Sequence, residues 1–158
     1  MADTATITQL LTQRFPGQVT ALDMVPPQTA ATVDPAIVSE LFAFLAENAD
    51  LKMNYLSAIS GIDRTDHIEI VYFVSSLEYK HKLTVKTRVE RIGGKINSIQ
   101  HILPAANWFE REIWELFGVD FVGHPDLRRF LLPDDWNQGN PMLRDWEGED
   151  FIRMPEVQ

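Results

Sequence analysis

Not one of the 158 residues is a cysteine. That excludes disulfides, a thiolate nucleophile and any iron–sulfur cluster held by the chain's own thiolates. If the protein takes part in redox chemistry, the cofactor sits elsewhere. Basic residues are also scarce: 14 Lys and Arg stand against 23 Asp and Glu, for a formal net charge of −9. Binding to nucleic acid or to an anionic bilayer needs a clustered positive surface, so neither is expected of this chain alone. Long apolar runs are missing too, and none approaches the roughly 20 residues of a transmembrane helix. The N-terminal "MADTATITQLLTQRF" has neither the basic start nor the apolar core of a signal peptide. A soluble protein is expected, with no direct membrane insertion and any membrane association made through other subunits.

What is present suits a single globular domain. A hydrophobic fraction of 45% and a charged fraction of 23% are ordinary for a packed chain of this size. "TITQLLTQRF" places Ile7, Leu10, Leu11 and Phe15 at helical spacing, and "QVTALDMV" before Pro26-Pro27 reads as a short strand. In "DPAIVSELFAFLAENADL", Asp34 is an N-cap, Pro35 the first helical residue, and Ile37, Leu41, Phe42 and Leu45 the core stripe. Four strands are then predicted: "MNYLSAISGID", the hairpin "HIEIVYFVSS" and "HKLTVKTRVER", and, after Gly93-Gly94, "INSIQHIL". A helix over 105 to 117 comes next. The order predicts a two-layer α+β domain, helices packed on one mixed β-sheet, covering 1–117. Residues 118–158 carry four prolines and four glycines, so an extended irregular C-terminal tail is expected there.

The segment Asn107 to Trp136, "NWFEREIWELFGVDFVGHPDLRRFLLPDDW", holds three of the four tryptophans. On its helix, Phe109, Ile113, Leu116 and Phe117 form the face expected to dock on the sheet. Arg111, Glu112 and Glu115 fall opposite, where Arg111 and Glu115, four apart, are expected to pair on a solvated face. Gly118 stops the helix. A glycosidase needs two carboxyl groups across a cleft, which this spacing fits poorly. A metal site from Glu112, Glu115, His124 and Asp126 matches no ligand motif. His124-Pro125-Asp126 reads as a turn, and His67, His81 and His101 as ordinary residues of strand regions. Arg128 and Arg129 form a basic pair in an acidic chain, suited to a partner's carboxylates. Trp136 and Trp146 lie where no core obviously covers them, which points to interface anchors.

"FEREIWELFGVDFVGHPDLRRFLLPDDW" closely resembles the signature of the 30 kDa subunit family of respiratory complex I, the C subunit of bacterial NADH:quinone oxidoreductase. Glu110-Arg111-Glu112, Glu115, Leu116-Phe117, His124, Arg128 or Arg129, and Leu131-Leu132 fill the places of the family pattern. The likeness is weaker upstream, at "HKLTVKTRV". Downstream, "NQGNPMLRDWEG" keeps Leu143-Arg144-Asp145-Trp146 but carries an extra residue or two and no Lys. The resemblance implies a non-catalytic subunit with no cofactor of its own, in the peripheral arm of a proton-pumping complex. Iron–sulfur clusters, FMN, NADH and quinone would belong to partner subunits. The implied partners are the quinone-site subunit (49 kDa or D type) and the iron–sulfur subunits, on the cytoplasmic side of a prokaryotic membrane. The implied interface comprises Glu110, Arg111, Glu112, Glu115, His124, Asp126, Arg128, Arg129, Asp134, Asp135, Trp136, Arg144 and Trp146. Equivalent subunits occur in F(420)H(2) dehydrogenases and in energy-converting [NiFe] hydrogenases, and a free-standing carboxylate- or metal-dependent hydrolase is the remote alternative. A tail that leans on a partner is further expected to become protease-sensitive beyond about residue 125 in the isolated chain.

Overall fold

The structure, a computed structural model, describes residues 4–22 and 29–148. Helix α1 (Thr4–Arg14) sinks Ile7 and Leu11, with Phe15 just beyond it, into the core, as their spacing predicts. Strand β1 (Val19–Leu22) pairs antiparallel with β2 (Ala30–Val33). Nothing local announces β2: four residues of "AATV" are too few to show a period, and only pairing makes them a strand. Asp34 is a cap as expected, its Oδ1 accepting the Ala36 N–H at 2.8 Å, but a short 3₁₀ turn (Pro35–Ile37) precedes α2 (Val38–Glu47).

Three nine-residue strands form an antiparallel meander: β3 (Tyr55–Asp63), β4 (His67–Ser75) and β5 (Lys82–Glu90). β2 then joins β5 in parallel, so the five-stranded mixed sheet has the order β1-β2-β5-β4-β3. Alternation decides the faces. Ile68, Ile70, Tyr72 and Val74 of β4, and Leu83, Val85 and Val89 of β5, enter the core. The opposite face carries half-exposed Tyr55 and Phe73.

The fourth predicted strand shrinks to β6 (Lys95–Asn97), which leaves the main sheet. It pairs in parallel with β7 (Asp120–Val122), and α3 (Ala106–Phe117) lies between them in the chain, a small βαβ unit. Ile99 and Leu103, which the sequence places in a strand, are buried on either side of a turn at 100–102 instead. α3 packs on β3, and Gly61 is a point of close approach: a Cβ there would stand 2.9 Å from the Phe117 ring.

The boundary expected at residue 117 does not divide two packing units among the described residues. Val119 and Phe121 belong to the core, and Leu127 and Leu143 pack against it. The segment to 148 is irregular yet anchored. The remaining residues of the expected tail, 149–158, and Pro26-Pro27 lie outside the described residues.

Candidate functional site: the α3 face and the loop it holds

The solvated charged face expected on α3 is corrected by the structure. Glu110, Arg111 and Glu115 are only 0%, 5% and 4% exposed, while Phe109 and Leu116 are partly buried. A buried charge requires partners. Arg111 and Glu115 find them in the backbone of the loop folded over the helix, and Glu110 in the turn after β6. Arg111 and Glu115 do not pair with each other. Glu112 is half-buried.

Glu115 makes the densest contact. Its Oε2 accepts the N–H groups of Phe130 and Leu131 at 3.3 and 3.2 Å, and its Oε1 that of Leu132 at 2.6 Å. Three successive amides thus converge on one carboxylate, an anion-binding nest filled by the chain itself. One turn earlier, Arg111 Nε donates to the Arg128 carbonyl at 3.0 Å. Its guanidinium lies against two rings at once, 4.9 Å from the centroid of Trp108 and 4.8 Å from that of Phe130. Trp108 and Phe130 also meet edge-on at 4.8 Å. Arg111 and Glu115 together therefore dictate the path of residues 128–132.

Glu110 ties α3 to the turn after β6. Ser98 Oγ donates to Oε2 at 2.5 Å and the Ile99 N–H to Oε1 at 2.8 Å. Burial outweighs these two bonds and pushes the Glu110 carboxyl up to about 7. The His124 side chain, equally buried, has Nε2 4.0 Å from Glu110 Oε2. Its Nδ1 accepts the Asp126 N–H at 3.0 Å, so Nε2 carries the proton and donates to the Asn107 carbonyl at 3.2 Å. Burial lowers the pKa of His124. The predicted His-Pro-Asp turn is thus present, with its histidine locked inward.

Downstream chain closes the C-terminus of α3. A helix end leaves carbonyls without intrahelical donors. The Gly118 N–H, at φ 80°, satisfies Trp114; Asn140 Nδ2 satisfies Glu115 at 3.0 Å; the Met142 N–H satisfies Leu116 at 3.1 Å. A second anchor is Asp63, buried at the end of β3. It takes both arms of Arg91, at 3.0 and 2.8 Å, and the Arg144 N–H at 2.8 Å, while Arg91 also reaches Asp145. The Arg91 guanidinium, with the Arg144 and Thr65 amides, holds the Asp63 carboxyl well below the usual carboxylate range. Trp136 and Trp146 stack on each other with centroids 6.0 Å apart, their indole N–H groups donating to the Gly139 and Gln138 carbonyls. They are half-buried rather than left bare.

The outward surface of this assembly carries Arg128, Arg129, Asp134, Asp135 and the Arg144 side chain, all exposed. Arg128 pairs with Asp126 at 2.9 Å. Trp108 and Leu131, at 58% and 53%, and Met142 are apolar side chains left in solvent. Of the thirteen candidate residues, Glu110, Arg111, Glu115 and the His124 side chain are thus turned inward, Glu112, Trp136 and Trp146 are half-buried, and the other six are exposed. The alternative metal site is not formed. Glu115 is occupied by amides, and no group of three or more His, Asp or Glu among the described residues could hold a metal ion. Sequence reasoning does not find Ser98, Asp63, Arg91 or Asn140. Only "GNP" at 139–141 hints at a tight turn, because the other three matter through contacts with segments remote in the chain.

The fold and this face define an α+β domain whose charged signature serves its own architecture and leaves an outward surface. The chain belongs to the family described as the 30 kDa subunit of respiratory-chain NADH dehydrogenase, which it matches over residues 31–151. It is 34% identical over 153 residues to the C subunit of NADH-quinone oxidoreductase from Chloroherpeton thalassium, covering 93% of this chain and 63% of that one. It is equally similar, 34% over 149 residues, to the C subunit of F(420)H(2) dehydrogenase from Methanosarcina mazei, covering 92% and 93%. Among solved structures, a trypsin-resistant fragment of Nqo5 shares the fold with a TM-score of 0.64 at 24% identity, covering 77% of this chain and 98% of that one. A chain of an archaeal membrane-bound sulfane sulfur reductase shares it at 0.69 and 22%, covering 82% and 76%. Among the described residues no helix is long and apolar enough to cross a membrane.

Proposed function

We propose that this chain is a non-catalytic, peripheral-arm subunit of a proton-pumping NADH:quinone oxidoreductase. It docks on the quinone-site subunit and supports electron transfer from NADH, through iron–sulfur clusters and FMN held by its partners, to quinone. In a prokaryote this places it on the cytoplasmic side of the membrane. The observation that carries the reading is the division of labour on α3. Glu110, Arg111 and Glu115 commit their polar groups inside the chain, and the bonds of Arg111 and Glu115 to the backbone of 128–132 leave Trp108, Leu131, Arg128 and Arg129 exposed. Exposed tryptophan and arginine on a rigid support are what an interface uses as anchors. Residues 118–148 contribute to that face rather than forming a separate arm.

The donor has a second reading. The F(420)H(2) dehydrogenase relative matches this chain along nearly its whole length, whereas the chain spans 63% of the first NADH-linked relative. An F(420)H(2)-linked complex is therefore the runner-up, and an energy-converting [NiFe] hydrogenase comes third on the same core. Tagged protein purified from gently solubilised native membranes, with mass spectrometry and metal analysis, separates them. Recovery with iron-rich, nickel-free subunits and an NADH-oxidising flavoprotein supports the main reading; a coenzyme F420-oxidising subunit selects the second, and nickel the third. Recovery of the chain alone overturns all three. Within the complex, Arg128→Ala and Glu112→Ala are expected to lower assembly more than they lower the melting temperature of the isolated chain.

A further inference from the structure

Between the C-terminal turn of α3 and the loop at 136–140 lies a concavity of about 260 Å³, lined by Trp114, Glu115, Arg129, Trp136 and Asn140. It is distinct from the nest on Glu115's carboxylate. The polar groups of its wall are largely committed within the chain. Glu115 is saturated by three amides, Asn140 donates to the Glu115 carbonyl, and the Trp136 indole donates to the Gly139 carbonyl at 2.7 Å. Arg129 differs. Its neighbour Arg128 is neutralised by Asp126, yet no carboxylate among the described residues lies within 4.0 Å of Arg129. Its guanidinium makes a single long donation, from Nη1 to the Asp134 carbonyl at 3.5 Å, among the described residues. A guanidinium carries five N–H donors arranged to meet a carboxylate in bidentate fashion. This one is exposed at the edge of a recess that Trp114 and Trp136 also line.

We propose that this pocket is the receptor for one acidic side chain, an Asp or Glu, projecting from the neighbouring subunit, and that Arg129 is its bidentate partner. The inference rests on the subunit reading above and names the chemistry of one contact within it. Volume agrees: at roughly 30 Å³ per water, the space takes a carboxylate with its last methylene and a few waters. Charge agrees as well. In a chain of net charge −9, an arginine with no carboxylate within 4.0 Å among the described residues is a favourable point of approach for a partner's acid. Insertion there would also bury Trp136 further, turning a half-covered indole into a contact of the interface core.

The test uses the assembled complex beside the purified free chain. Phenylglyoxal modification, read by peptide mass spectrometry, is expected to reach Arg129 in the free chain and to be lost in the complex. Arg129→Lys then supplies an amine in the same place, and carbodiimide treatment of that variant complex is expected to give a zero-length cross-link from position 129 to an Asp or Glu of another subunit. Equal modification of Arg129 in both states overturns the proposal, and so does a cross-link from position 129 to a carboxylate of this same chain. A complex that forms but shows either result removes this pocket and leaves the subunit reading standing; a chain that co-purifies with nothing removes both.

Discussion

Glu115 Oε1 accepts the Leu132 N–H at 2.6 Å, 17 residues away in the chain, and this bond fixes the loop that faces outward from α3. Removing the acceptor strands three amides folded against the helix. Glu115→Ala is expected to cost about 2 to 3 kcal/mol, since hydrogen bonds to a charged group are worth roughly 1.5 to 3 kcal/mol each and water would replace part of the loss. The local readout is amide hydrogen exchange at 130–132, which should accelerate well before the sheet amides do. Unchanged exchange there would show that the loop is held by something else.

The carboxyl of Glu110 makes stability depend on pH. Its folded pKa is raised from 4.5 to about 7, so the folded state keeps a proton that the unfolded state has lost. The associated stability is complete below 4.5 and is lost as pH rises through 7, by at most about 3 kcal/mol at roughly 1.36 kcal/mol per unit. His124, lowered by burial, has the opposite slope: its contribution is complete above 6.5 and is lost as pH falls. The titratable groups near Glu110 are His124, 4.0 Å away, and Tyr72, whose burial raises its pKa and keeps it neutral in this range. Glu110→Gln should abolish the decline in melting temperature between about pH 5 and 8 while leaving the His124 slope intact. A parallel decline in wild type and variant would refute the assignment.

Asp63 joins two parts of the molecule, since it holds Arg91 and the Arg144 amide together. Its pKa is depressed chiefly by Arg91, so the stability it brings is present above the ordinary carboxylate range and is lost only as pH falls below it. Asp63→Asn at neutral pH breaks a buried pair from one side, with an expected cost of about 3 kcal/mol. Limited proteolysis should then cut first near residues 142–148. First cleavage in the β3–β4 turn instead would assign Asp63 to the sheet alone.

Close packing at Gly61 predicts a different kind of sensitivity. Gly61→Ala drives a Cβ to 2.9 Å from the Phe117 ring, so the helix or the ring has to move. Overpacking of this sort costs about 1 to 3 kcal/mol. Thermal unfolding of Gly61→Ala with and without Phe117→Leu checks it, because the smaller side chain should recover part of the loss. Additive effects of the two changes would mean that they do not meet.

Asn140 offers the mildest test. It caps the Glu115 carbonyl from outside the helix, and Asn140→Ala is expected to lower stability by about 1 kcal/mol, the usual scale for a lost cap. Asn140→Asp, which cannot donate, should cost no less. A fully stable Asp variant would show that water serves this carbonyl equally well.

Periodicity in the chain is enough for α1, α2, the β3–β4–β5 meander and α3, because each buries a continuous apolar stripe whose spacing is local. The family signature is legible for the same reason, being a contiguous run of about 28 residues from Phe109 to Trp136. What the chain cannot reveal is direction. By spacing alone Arg111 and Glu115 fall opposite the apolar face and read as solvated; folded, they are covered by a loop whose own amides and carbonyls need a cation and an anion there. β2 and β7 likewise exist only because β5 and β6 present edges to pair with, and Asp63 gains its role from Arg91 and Arg144, 28 and 81 residues away. Local spacing carries information about which side chains share a face. Whether that face meets water or backbone is decided by chain that arrives from elsewhere, and the free energy of burying a charge depends on that arrival.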